Sequence, residues 1–207
     1  MDKLINKIFG VLSKPAKLIL IIGGFTYALW FAIRTGMSMD GQFMNVLTNL
    51  ITLVVGTALI CLPPVLILLK KDEIAKIAFI LLLGYWVLSA PTQYFFFAET
   101  FADAREFFPV FVSIFLLIAG LTLVAILVLV ILEMLLGIKI LRLIILGVAL
   151  LFVAISFLTA IFFCIEAGIM EAPWIYFVDY AFMDMILLPV VVGCGCIYFF
   201  SISGAQK

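Results

Sequence analysis

The stretch Ile175–Ile202 reads IYFVDYAFMDMILLPVVVGCGCIYFFSI, and it decides the class of fold. It is long and apolar enough to cross a lipid bilayer, which takes about 20 residues of α-helix. Two acids, Asp179 and Asp184, lie within it, and Pro189 follows five residues after the second acid. Acids are rare in hydrocarbon because burying their charge is costly, and those that occur there usually serve a function. This stretch is therefore both a membrane span and the first place to look for a functional site.

The composition of the whole chain agrees with a membrane protein. Of the 207 residues, 68% are hydrophobic and 12% are charged. A soluble domain of ordinary composition carries about 25% charged residues. There is too little polar surface here to coat a water-soluble globule, so the bilayer is the expected solvent.

Five further apolar segments precede the last one. We predict an all-α fold: a polytopic membrane protein whose residues 18–207 form a single bundle of six transmembrane helices. The expected spans are 18–33, 45–69, 77–98, 109–132, 143–165 and 175–202. A connector is expected at 133–142 and polar loops at 99–108 and 166–173.

Residues 1–17, MDKLINKIFGVLSKPAK, predict a short basic amphipathic helix that lies in the headgroup layer. Pro15 is expected to end this helix before the chain enters the bilayer. The alternative for the segment is a plain positively charged flank that only fixes the topology.

Lysine and arginine predict the orientation. With six spans, ten of the twelve basic residues fall on the side of the N-terminus, and only Arg34 and Arg105 fall on the other. The positive-inside rule then gives cytoplasmic N- and C-termini in a cell inner membrane. Eight acids fall on the outer side, where they would attract cations. The alternative is that outer loops must be polar and acids remain once lysine is excluded.

Several function classes are not expected. The chain has no histidine, which excludes His-ligated metal sites and Ser-His or Cys-His nucleophile pairs. The four cysteines lie within apolar runs without metal-ligand spacing, as packing residues do. We find no phosphate-binding glycine pattern either. We therefore expect no enzymatic activity, no metal, no cofactor and no nucleic-acid partner; the expected surroundings are the lipid bilayer.

The two acids of the last span are expected on different faces. On α-helical spacing, Tyr176, Tyr180 and Asp184 share one stripe, each four residues after the previous one. Asp179 is five residues before Asp184, which places it about 140° away around the helix. A pair of carboxylates sharing one proton is therefore not expected within this helix.

The candidate ion- or solute-binding site is built around Asp184. Pro189 lacks an N–H, so it is expected to kink the helix and to free the carbonyl of Met185. That carbonyl, a carboxylate and a tyrosine hydroxyl are suitable groups for a small cation or a proton. The candidate residues are Asp184, Tyr180, Asp179, Met185 and, from the end of the fifth helix, Glu166. The alternative is a proline-kinked helix whose interfacial Asp184 is bonded to Tyr180 or to water.

Two spans carry small residues at every fourth position. The first has Gly24, Ala28, Ala32 and Gly36, and the fifth has Ser156, Ala160, Cys164 and Gly168. Small side chains on one helix face let backbones approach closely in the membrane. We predict two close packing seams, which could pack on each other. The alternative is that the first or fifth helix docks a separate membrane protein.

Two functions remain open from the sequence. One is a small transporter or channel component that moves a cation or small solute past the last helix. The other is a non-catalytic membrane subunit that assembles a larger complex. The first predicts a polar cavity that reaches the last span, and the second predicts solid packing with a bare, small-residue lateral face.

Overall fold

The protein is described by a computed structural model. It gives the backbone of residues 2–37, 43–103, 107–169, 171 and 173–202, and the side chains of 11–37, 46–89, 111–169, 171, 173–175 and 177–200. These residues form helices and no strand, so the fold is all-α as predicted. The predicted amphipathic faces of residues 1–10 lie outside the described side chains.

Five long α-helices precede a composite last helix. In chain order the helices are α1 (Asp2–Met37), α2 (Phe43–Leu68), α3 (Asp72–Asp103), α4 (Phe107–Leu136), α5 (Lys139–Ile169), α6 (Trp174–Tyr176), a π-helix (Phe177–Leu187) and α7 (Leu188–Ile202). The last three are continuous, so the stretch around which the sequence was interpreted begins as one α-turn, passes through a π-helix and ends as an α-helix.

Five segments within the described residues are long and apolar enough to cross a membrane. They are Val11–Met37, Val46–Leu68, Phe111–Leu136, Lys139–Ile169 and Phe177–Phe200. The third predicted span, 77–98 on α3, is not among them: α3 begins with Asp72 and Glu73, followed by Lys76, and its side chains are described only to Ser89. Large apolar side chains cover the outside of the six-helix arrangement; Leu88, for example, is 81% exposed. Such a surface is that of a polytopic membrane protein.

The helices pack in a closed series in which the last one lies between α1 and α5 and also touches α3. α1 packs against α2 and α7, α2 against α3, α3 against α4, α4 against α5, and α5 against both the π-helix and α7. The last span is the most enclosed, with 67% of its apolar window buried against 28–33% in the other four. The two acids therefore belong to the most enclosed of the five spans.

Small residues allow neighbouring helices to approach α7 closely. A Cβ added at Gly195 would collide with the ring of Phe79 from α3. On the other side, a Cβ added at Gly23 of α1 would lie 2.8 Å from Cγ2 of Val191. Real Cβ contacts are not this short, so these backbones approach only because glycine stands at both positions.

Several predicted helix boundaries are wrong. α3 and α5 extend into the loops predicted at 99–108 and 166–173, as far as Asp103 and Ile169. α1 does not end at Pro15 but is continuous from Asp2 to Met37. One missing hydrogen bond does not end a helix of this length, since propagation on both sides of it is cooperative. The connector predicted at 133–142 is reduced to Gly137 and Ile138 between α4 and α5. Gly137 has φ +64°, the left-handed conformation that commonly follows a helix.

The first half of the seam on α1 packs closely against its neighbours. A Cβ at Gly24 would lie 2.7 Å from Cγ of Pro64 on α2, and Ala28 is buried. Ala32 is half-buried, whereas Gly36 is exposed and has nothing within 4 Å of an added Cβ.

The seam on α5 is likewise buried over its first half and more exposed towards its end. Ser156 and Ala160 are buried, Cys164 is half-buried, and Gly168 is exposed with nothing within 4 Å of an added Cβ. α1 packs mainly on α2 and α7, and α5 packs mainly on α4, the π-helix and α7. The two helices thus share α7 as a neighbour, and the two seams do not pack extensively on each other.

Candidate ion-binding site

An arginine on α1 bridges the two acids of the last span. Tyr27, Trp30 and Arg34 lie on one face of α1, because residues three, four and seven apart align along an α-helix. Arg34 Nη1 donates to Asp184 Oδ2 at 2.7 Å and lies 3.3 Å from Asp179 Oδ1. The shorter distance makes Asp184 the principal partner of the guanidinium.

Two neutral donors from the same face of α1 complete the cluster. The Tyr27 hydroxyl donates to Asp184 Oδ1 at 3.0 Å, and Trp30 Nε1 donates to Asp179 Oδ1 at 2.9 Å. We call Tyr27, Trp30, Arg34, Asp179 and Asp184 the arginine–aspartate cluster. It joins the C-terminal half of α1 to the first half of the composite last helix.

The four carboxylate oxygens of the cluster are not used equally. Both oxygens of Asp184 accept a hydrogen bond, one from Tyr27 and one from Arg34. On Asp179, Oδ1 accepts two, and Oδ2 accepts none from the residues that the structure describes. Both carboxylate side chains are 18% exposed, and that of Arg34 is 30% exposed. The cluster therefore has one carboxylate oxygen, Asp179 Oδ2, without a partner among the described residues, and its charged side chains are partly exposed.

The π-helix is what brings the two acids together. The predicted separation of about 140° assumed α-helical geometry, and it is wrong because Phe177–Leu187 is a π-helix. In a π-helix the hydrogen bonds join residues five apart, so Asp179 and Asp184 follow each other along one face. Such segments are uncommon and often mark functional sites.

Tyr180 belongs to the surroundings of the cluster. The centroid of its ring is 5.8 Å from Arg34 Cζ, within cation–π range, and 5.9 Å from that of Phe163 on α5. Glu166 is half-buried near the end of α5, and the four hydrogen bonds of the cluster do not involve it.

The predicted roles of Met185 and Pro189 both assumed an α-helix. The Met185 side chain is buried in an apolar group with Val112 and Ala160. The freed carbonyl at Met185 assumed hydrogen bonds between residues four apart, whereas Met185 lies in the π-helix. Pro189 is the second residue of α7, so it lies at the change from π- to α-helix, and the kink expected there stays a prediction.

Sequence reasoning missed the α1 half of the cluster. From the sequence, Arg34 is expected on the outer side of the membrane, and neither Tyr27 nor Trp30 is among the candidate site residues. A signal was present: Tyr27, Trp30 and Arg34 place two polar aromatic donors and a cation on one helix face. Two intramembrane acids in the last span required a counter-ion, and Arg34 was one of only two basic residues predicted on their side.

A lateral groove lies between α1 and α2. Its volume is about 510 Å³, and its lining residues are Ala32, Leu53, Val54, Thr57, Ala58 and Cys61. Thr57 Oγ1 is buried there without a hydrogen-bond partner among the described residues. The groove is thus apolar, open to the side of the bundle, and bordered by Ala32 of the α1 seam.

In the described part of the chain, no group of three or more His, Cys, Asp or Glu side chains is arranged to hold a metal ion. Comparisons of this chain with protein-family models, with curated proteins and with solved structures give no match.

Proposed function

We propose that this integral membrane protein is a non-enzymatic transporter or channel component that moves a proton or small cation. The supporting observation is the count of charges in the arginine–aspartate cluster. Two carboxylates share a single guanidinium, and the other donors, Tyr27 and Trp30, are neutral. The cluster thus has a formal charge of −1 when both acids are ionised.

A surplus negative charge between helices is costly, because little water is present to solvate it. It is matched at lowest cost by one bound proton or by one small cation. The structure contains one carboxylate oxygen, Asp179 Oδ2, that no described residue occupies. We infer that Asp179 is the group that gains and loses the cation, and that Asp184 is the fixed counter-ion of Arg34. The sequence alone favoured Asp184 for this role.

The orientation expected from lysine and arginine places the cluster at the outer side of the membrane. Loading of Asp179 would then take place from the outside, where the predicted acidic loops raise the local cation concentration. Release to the other side requires the contact between α1 and the last helix to change, because the rest of that helix is packed tightly.

The test is a flux measurement on the purified chain in liposomes, with a pH-sensitive dye inside and an imposed proton, sodium or potassium gradient. We expect flux by the wild type and its loss in Asp179→Asn. The matched control is Glu171→Gln, which removes an acid from the exposed connection between α5 and α6. Flux in Asp179→Asn equal to that of the wild type, or equal loss in Glu171→Gln, would contradict the assignment.

A second candidate function rests on the lateral groove, which resembles the bare, small-residue lateral face expected of an assembly subunit rather than the polar cavity expected of a transporter. We propose as the alternative that the protein is an assembly subunit whose α1–α2 groove receives a transmembrane helix of a partner. Small residues such as Ala32 and Ala58 in this groove are a feature of helix–helix contacts in membranes. The test compares complexes isolated from the native membrane in mild detergent. Ala58→Trp should fill the groove and release a partner that the wild type retains, and Leu88→Trp, at an exposed site on α3, should not.

A further inference from the structure

A second ionic cluster lies at the opposite end of the bundle. Glu133 of α4 is 3% exposed and is bonded from two directions. Lys76 Nζ from α3 lies 3.1 Å from its Oε2, and Arg142 Nε from α5 lies 2.7 Å from its Oε1. The Lys76 ammonium also lies 4.5 Å from the centroid of the Phe200 ring. We call Lys76, Glu133 and Arg142 the glutamate triad.

Contacts along α7 show that the two clusters are far apart. At this end the Tyr198 hydroxyl donates to Asp72 Oδ1 at 2.8 Å, and Lys17 Nζ lies 5.6 Å from the Tyr198 ring. Lys17 and Arg34 are both on α1, separated by 17 residues, or about 25 Å of helix. The triad is therefore independent of the arginine–aspartate cluster.

The triad has the opposite charge balance. Two cations share one carboxylate, which leaves a formal charge of +1 beside apolar helices. Glu133 is enclosed, but Lys76 and Arg142 are 20% and 23% exposed. Arg142 uses only Nε toward Glu133, and its two terminal nitrogens have no partner among the described residues. A guanidinium with its outer edge available is suited to a phosphate group.

The surface beside the triad is apolar. On α4, Leu135 is 75% exposed and Leu136 is 59% exposed, and Ile140 on α5 is 63% exposed. A soluble anion would gain nothing from such a surface, whereas an acyl chain would lie along it. A cation pair at the end of a bundle, next to exposed apolar helix faces, matches a phospholipid with a charged head and two tails.

We propose that the glutamate triad binds the phosphate of an anionic phospholipid, with the lipid tails along the exposed faces of α4 and α5. Arg142 supplies the hydrogen-bonding edge, Lys76 adds charge, and Glu133 fixes both cations in place. Further lysines at the same end, Lys71 and Lys139 among them, add a diffuse attraction for anionic lipid.

The experiment uses the full chain in mild detergent, titrated with phosphatidylglycerol, phosphatidylcholine or inorganic phosphate. Bound lipid is counted by native mass spectrometry, and the melting temperature is followed in parallel. We expect the wild type to retain and be stabilised by phosphatidylglycerol, and not by the other two. Equal retention of phosphatidylcholine would overturn the proposal, and so would an equal effect of inorganic phosphate, which would indicate a site for soluble anions.

Two variants distinguish a specific phosphate-binding site from general electrostatic attraction of anionic lipid. Arg142→Lys keeps the charge and can still pair with Glu133, so it should fold, but it lacks the outer edge of the guanidinium. We expect its affinity for phosphatidylglycerol to fall by more than about tenfold. Lys71→Gln removes an exposed charge at the same end of the bundle. It should lower the affinity for phosphatidylglycerol by no more than a factor of about five. Equal losses in the two variants would show that only diffuse attraction acts here.

Discussion

The contact between Arg34 and the two acids can be tested by double-mutant cycles, which measure the free energy of interaction between two side chains. The first cycle combines Arg34→Met with Asp184→Asn, and the second combines Arg34→Met with Asp179→Asn. Asparagine keeps the size of aspartate and removes the charge, and methionine retains much of the length of the arginine stem. Each cycle compares the free energies of unfolding of the wild type, the two single variants and the double variant.

The distances set the expected magnitudes. A hydrogen bond to a charged group contributes about 1.5–3 kcal/mol, and breaking a fully buried ion pair costs about 3–5 kcal/mol. The carboxylates are 18% exposed and Arg34 is 30% exposed, so the lower part of this range applies. At 2.7 Å we expect a coupling of about 2 kcal/mol between Arg34 and Asp184. At 3.3 Å we expect less than about 1 kcal/mol between Arg34 and Asp179, since Trp30 shares that oxygen.

The assay is reversible unfolding in mixed micelles of a mild detergent and sodium dodecyl sulfate, followed by tryptophan fluorescence. A third cycle, between Arg34 and the exposed Glu171, serves as the control and should give a coupling near zero. A coupling for Asp179 equal to or above that for Asp184 would refute the assignment of Asp184 as the fixed counter-ion. Couplings near zero in both cycles would show that the bridge does not hold α1 against the last helix.

Three further predictions concern packing and the second cluster. Gly195→Ala should destabilise the protein by about 1–3 kcal/mol because its Cβ meets Phe79, whereas Gly147→Ala, with nothing within 4 Å, should be neutral or slightly stabilising; equal melting temperatures would contradict the close approach. Thr57→Val should leave the melting temperature unchanged or raise it, since the buried hydroxyl that it removes has no partner among the described residues; a clear fall would indicate one. Glu133→Gln should lower the free energy of unfolding by about 3 kcal/mol because two cations lose their shared carboxylate, and a change under about 0.5 kcal/mol would contradict the triad.

The class of fold could be predicted because it follows from sums over many residues. A chain with 68% hydrophobic and 12% charged residues has only the bilayer as a solvent, and apolar runs of about 20 residues define the helices. Helix ends were predicted less well, since Pro15 and the segment 133–142 carry local signals that the cooperativity of long helices overrides. Glu133 appeared to be a connector residue, and only the positions of Lys76 and Arg142 make its burial understandable.

The arginine–aspartate cluster could be predicted only in part, for a physical reason. The cost of an intramembrane acid is a local property, so Asp179 and Asp184 stood out in the sequence. The identity of their partner depends on long-range contacts, because Arg34 is 145 residues from Asp179 along the chain. The helix type depends on that partner too, because local propensities favour the α-helix and π-helices rarely exceed a single turn.

The π-helix and the charge balance of the cluster explain each other. In an α-helix, Asp179 and Asp184 would face directions about 140° apart, so α1 could neutralise only one of them. The other would be left toward lipid or toward α5, at the cost of an unpaired charge. The π-helix turns both acids toward α1, where Arg34, Tyr27 and Trp30 supply four hydrogen bonds. One guanidinium cannot balance two carboxylates, and we infer that the remaining charge falls on Asp179, the acid with the longer contact to Arg34. The helix geometry that joins the two acids therefore supports the different roles that we propose for them, with Asp184 held by Arg34 and Asp179 available to a proton or cation.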